Sequence, residues 1–115
     1  MKKILCTLFA AGCFWAAKAQ LKISDTMRYN RAQIDTLDQQ IIDLLGQRTK
    51  AARTIGIYKM HHNINVVQDK RFEKVLESAI KRGRDNQLSE KFIRDLYDDI
   101  HQESIRQEEA IKLRQ

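Results

Sequence analysis

DTMRYNRAQIDTLDQQIIDLLGQRTKAARTIGIYKM, residues 25–60, is the stretch on which the fold turns. It contains no proline and two glycines, Gly46 and Gly56. Its apolar positions run Ile34, Leu37, Ile41, Leu44, then Ala51, Ile55 and Tyr58. Those spacings of three and four form the seam of a helix that packs along its length against other helices. Between Leu44 and Ala51 the seam asks for an apolar side chain and receives Arg48. A guanidinium in a seam is costly unless an anion meets it there.

A helix over residues 25–60 would be about 54 Å long, whereas a compact chain of this mass is about 30 Å across. Its length therefore predicts a second chain to cover it. Ser24 or Asp25 is placed to cap its first turn.

Outward from this helix the chain keeps the same character. Charged residues make up 31% of the 115 positions and aromatics 7%, with no run of alternating β-branched residues. The expected class is all-α, a single domain with three helices and a long first one. His61 to Asn65 breaks the period and reads as a loop. A second helix is expected from Gln68 to Arg82, burying Phe72, Val75, Leu76, Ala79 and Ile80, with Gly83 placed to end it. Ser89 then caps a third helix reaching Leu113, with Phe92, Ile93, Leu96, Tyr97, Ile100 and Ile111 as its apolar stripe.

The first 19 residues read as a secretory signal peptide. Met1-Lys2-Lys3 is a basic start, Ile4 to Trp15 is mostly apolar, and Ala17-Lys18-Ala19 is a small-residue cleavage site. The expected mature domain is residues 20–115, exported to a periplasm or secreted. Loss of Lys2, Lys3 and Lys18 takes the formal charge from +6 to +3, a poor fit to nucleic-acid binding. Both cysteines, Cys6 and Cys13, fall in the leader, so the mature chain would have no disulfide. Ala10-Ala11-Gly12-Cys13 loosely resembles a lipoprotein processing site, with Ala where Leu is more typical. Only processing there would leave a membrane anchor, at Cys13.

Several polar residues interrupt apolar faces. On the third helix the stripe passes through Ser104 and Glu108, four apart and so on one face. Arg71 sits at the edge of the second helix's stripe. Lys59 follows Arg48 by close to three turns, so both cations lie on nearly the same face, about 16 Å apart. Each has an ordinary explanation taken singly: snorkelling, a surface ion pair, a backbone-bonded serine. Their convergence from three helices is what points to a small anionic ligand. His61-His62 is a weak metal candidate, because adjacent loop residues do not converge on one ion. His101 reads as packing or rim. No glycine-rich phosphate loop or recognisable nucleophile motif is present.

Arg31, Ile34-Asp35, Leu37-Asp38, Leu44-Leu45, Arg48, Ile55-Gly56 and Lys59 together resemble the first helix of the all-helical chorismate mutases. Arg71 and the run from Ile100 through Ser104-Ile105-Arg106-Gln107-Glu108 continue the likeness, which spans Tyr29 to Ile111. The resemblance implies an intertwined homodimer with two equivalent sites and conversion of chorismate to prephenate, without cofactor or metal. It implies that Arg48, Lys59, Arg71, Ser104 and Glu108 of one chain bind substrate, together with Gln68, while Arg31 reaches in from the partner. Catalytic weight would fall on Lys59, Glu108 and Arg48. Arg31 and Arg48, 17 residues apart on one helix, are about 25 Å apart, too far to hold one small molecule together.

The chain departs from the family where Asp and Glu often help to bind the substrate hydroxyl: Gln68 and Phe72 stand there. At position 108 many relatives carry Gln and this chain carries Glu. Two other functions are compatible with the pattern: an isochorismate-pyruvate lyase of the same fold, and an exported helical binding module without catalysis.

Overall fold

The computed structural model describes residues 9–65 and 69–114, and the side chains of 24–65 and 70–114. Gln68, with Val66 and Val67, lies outside the described residues, as do positions 1–8 of the expected leader. Among the described residues there are three helices and no strands: α1 Phe9–His61, α2 Asp69–Asp85 and α3 Glu90–Lys112. The all-α, three-helix expectation holds.

Helix α1 starts well before Asp25, which corrects the expected boundary. Only Gly12 weakens the helical propensity between Phe9 and Ser24, and the chain contains no proline. Nothing therefore stops the backbone ladder, and Ser24 and Asp25 lie inside the helix instead of capping it. Asp25 takes a hydrogen bond from Arg28 one turn on, at 2.9 Å.

The exits of α1 and α2 share one solution. After α1, Asn63 adopts φ 54°, and the amide of Ile64 donates to Lys59 O at 2.9 Å. After α2, Gln87 adopts φ 60°, and the amide of Leu88 donates to Gly83 O at 2.9 Å. Both are left-handed closures that satisfy carbonyls the helix end leaves open. Gly83 is thus not the terminator expected from its position. It lies within α2 and is buried, and a Cβ there would come within 2.6 Å of Ile93 Cγ1. Its missing side chain lets α2 and α3 approach, and Ile93, 5% exposed, fills the contact. At the start of α3 the Ser89 hydroxyl accepts from the Phe92 amide, the expected cap.

The chain divides into two compact units, Met1–Asp43 and Leu44–Gln115. In the first, every described side chain is exposed, including Ile34 at 54%, Leu37 at 53% and Ile41 at 53%. In the second, α2 packs on α3, and the last turns of α1 run alongside α3 in the same direction. Arg48 pairs with Ser104, Arg53 with Gln107, and Gly56 with Glu108.

Within this single chain α1 turns Leu45, Thr49, Ala52, Gly56 and Lys59 inward. Leu44, Ala51, Ile55 and Tyr58 are exposed within this chain, and so is Arg48. Apart from Leu45 this inward face is made of small and polar residues, which allow close approach but do not register in a hydrophobic period. Hence the apolar seam and the packed face are neighbouring lines on one helix. The α2 stripe, Phe72, Val75, Leu76, Ala79 and Ile80, is half-buried as expected.

Candidate active site

Within the second unit, α1, α2 and α3 line a half-open cavity of about 370 Å³, inside the size range of small-molecule sites. Arg48 and Lys59 enter it from α1, Arg71 from α2, and His101, Ser104 and Glu108 from α3. Ala52, Ile55, Phe72, Val75 and Ile105 supply apolar wall. Five of the residues singled out in the sequence therefore line one cavity: Arg48, Lys59, Arg71, Ser104 and Glu108. Arg31 belongs to the first unit, where it is exposed. Gln68 falls outside the described residues.

The Arg48 side chain is held from across the cavity. Its Nη1 donates to Ser104 Oγ at 3.2 Å, and Ser104 Oγ donates in turn to Ile100 O at 3.0 Å. The back-bond directs the serine proton toward its own helix, leaving oxygen lone pairs to receive the guanidinium. Four other N–H groups of Arg48 remain for a ligand. Beside this pair, Arg53 donates to Gln107 Oε1 at 3.0 Å, and Gln107 donates to Glu103 at 2.6 Å. These bonds fix the register of α1 on α3, and so the separation of Arg48 and Glu108.

Glu108 is 9% exposed, and its Oε2 is buried without a hydrogen-bond partner among the described residues. It reaches this position because Gly56 has no side chain: a Cβ there would lie 2.7 Å from Glu108 Cγ. Burial raises the Glu108 pKa above the ordinary 4.5, and the charges of Lys59, His101 and Lys112 oppose the rise. A carboxyl in this setting takes up a proton more readily than one in water and can then donate a hydrogen bond.

Of the two expectations for His101, packing or rim, packing holds, and the residue also lines the cavity. It stacks on Phe72, with ring centroids 4.1 Å apart and planes 18° from parallel. The signal was present in the helical period, since 101, 104 and 108 fall on one face. Of the weak metal pair, His62 is occupied locally: it stacks on Tyr58, and its Nδ1 is 2.8 Å from Tyr58 O.

Three cations, a hydroxyl and a protonatable carboxyl around an apolar-walled cavity define an all-helical site for a small anionic molecule. The family described as chorismate mutase type II matches residues 30–109, and the chain belongs to that family. It is 32% identical over 85 residues to a 4-amino-4-deoxychorismate mutase of Streptomyces venezuelae, an alignment covering 74% of this chain and 82% of that protein. A 4-amino-4-deoxychorismate mutase of Streptomyces pristinaespiralis is 30% identical over 86 residues, covering 75% and 67%.

Proposed function

We propose that the protein catalyses the rearrangement of chorismate to prephenate. The observation that carries this reading is Glu108, a buried acid with an unpartnered oxygen in the same cavity as Lys59, Arg48 and Arg71. In this reaction the ether C–O bond breaks as a C–C bond forms within one molecule. The substrate must be folded so that its enolpyruvyl arm lies over the ring, and charge accumulates on the ether oxygen in the transition state. Arg48 and Arg71 suit the two carboxylates, for which the planar guanidinium fork is the best protein partner. Holding both ends removes the entropy of the extended conformers. Lys59 and protonated Glu108 would donate to the ether oxygen, an interaction stronger in the transition state than in the ground state.

The uncovered stripe Ile34, Leu37 and Ile41 supports a homodimer in which the partner's Arg31 completes each site. The small-residue site at Ala17 and Ala19 supports export of a soluble chain beginning at Gln20. An intact mass beginning at a lipid-bearing Cys13 would overturn that last point.

A second reading follows from the names of the two relatives: the same rearrangement on 4-amino-4-deoxychorismate. It differs only in the substituent at ring carbon 4. Separate incubations of the full chain with chorismate, 4-amino-4-deoxychorismate and isochorismate, with products identified by NMR, test the assignment. Prephenate from chorismate is the expected result. Preferential turnover of the amino compound would favour the second reading. Salicylate and pyruvate from isochorismate would favour a lyase, and binding without turnover a non-catalytic module.

A further inference from the structure

The polar groups of the cavity can be matched one by one to the polar groups of the proposed substrate. The carboxylates take Arg48 and Arg71, and the ether oxygen takes Lys59 and Glu108. Ser104 is already engaged, accepting from Arg48 and donating to Ile100 O. Chorismate has one polar group left, the hydroxyl on ring carbon 4, next to the carbon bearing the ether. Among the described residues that line the cavity, His101 is the side chain left with unassigned hydrogen-bonding capacity. Its ring nitrogens make no hydrogen bond with any described residue, and its face rests on Phe72. It lines the same cavity as Glu108, and 101, 104 and 108 fall on one face of α3. Phe72 itself offers no donor or acceptor, and Val75 and Ile105 offer none.

We propose that His101 is a specificity-determining residue for the substituent on ring carbon 4, exchanging a hydrogen bond with a hydroxyl there while Phe72 holds its ring in place. This rests on the mutase reading above and names the contact that selects within that substrate class. Imidazole suits the task because its two nitrogens offer a donor and an acceptor, and a hydroxyl can use either. Stacking on Phe72 restricts the ring to one plane. The hydrogen bond is thus pre-oriented before substrate arrives. A site that hydrogen-bonds a substrate hydroxyl rejects the analogue without it, because its own polar group is then left unpaired.

The test compares kcat/KM for chorismate and for 4-deoxychorismate, which has hydrogen in place of the hydroxyl but can undergo the same rearrangement. The wild-type chain is expected to prefer chorismate by about tenfold or more. His101→Phe keeps an aromatic ring against Phe72 and removes both nitrogens. It should bring the preference to within about threefold, by loss on chorismate and not on the deoxy compound. His101→Asn keeps a donor and an acceptor without the ring and should retain part of the preference. Equal losses on both substrates in His101→Phe would show that the ring only packs, and would overturn the proposal. So would a preference unchanged by that substitution, or one lost as fully in His101→Asn. A wild-type chain inactive on both compounds would overturn the mutase reading itself, and this proposal with it.

Discussion

Gly56 on α1 and Glu108 on α3 are in such close contact that a Cβ on Gly56 would lie 2.7 Å from Glu108 Cγ and 3.1 Å from Cδ. The atom in the way is near the root of the glutamate side chain, not its flexible end, so an added methyl must move the whole carboxyl. Gly56→Ala should cost about 1–3 kcal/mol in overpacking, offset by about 1 kcal/mol of helix propensity. The net cost of about 0–2 kcal/mol should leave the melting temperature unchanged or lower it by up to about 10 °C, while kcat/KM for chorismate falls about tenfold or more as Glu108 is displaced. Thermal unfolding and steady-state kinetics on one preparation check both halves. Unchanged kinetics would remove Glu108 from the site.

Glu108 gives the site a pH dependence with a defined sign. Its pKa is raised by burial, and in the proposed mechanism the active form is the protonated one. Turnover should therefore fall as pH rises through that raised value. Glu108→Gln donates at every pH and should flatten this limb, keeping activity at neutral pH and above. Stability moves in the same direction. The folded chain holds this proton more tightly than the unfolded chain, so it binds more protons between pH 4.5 and the raised value. Its stabilising share is whole below 4.5 and is lost as pH rises through that window. Glu108→Gln should be less sensitive to pH over the same range. Profiles of rate and of urea midpoint for both proteins check this, and parallel declines in rate at high pH would exclude Glu108 as the donor.

Much of this arrangement can be read in the chain. The three-helix class follows from period alone, and Ser89 is recognisable as a cap. Lys59, Arg71, Ser104 and Glu108 stand out because each is polar on or beside an apolar stripe. What stayed hidden has a common cause. The face that α1 packs within one chain is Leu45, Thr49, Ala52, Gly56 and Lys59, mostly small or polar. The hydrophobic period therefore traces the adjoining line of Leu44, Ile55 and Tyr58, of which Ile55 lines the cavity. Gly83 and Gly56 were hard to place because a glycine marks a turn and a close contact alike. The helical period puts His101 on the face of Ser104 and Glu108, but its place in the cavity shows only in its contact with Phe72 across helices. The early start of α1 reflects local propensity, which overrides the possible caps at Ser24 and Asp25.

The uncovered stripe on α1 leads to a prediction about assembly. Ile34, Leu37 and Ile41, each more than half exposed in the single chain, are expected to bury against a second copy. Ile41→Glu should shift sedimentation toward the monomer and abolish activity. In a composite site, Arg31→Ala and Arg48→Ala proteins are each inactive, and mixed dimers refolded from both regain part of the activity. Each such dimer can assemble one site with both arginines intact. Confirmed subunit exchange without recovery would contradict the composite site.

Arg48, held by Ser104, is the residue proposed to anchor the substrate without taking part in bond making. The most direct measurement is a time course of chorismate by NMR with the wild-type chain and with Arg48→Ala. The account predicts prephenate as the sole product with wild type, and a loss of about a hundredfold or more in kcat/KM with the variant at unchanged helical content. No prephenate above the spontaneous rate from the folded wild-type protein, or equal rates from both proteins, would contradict it.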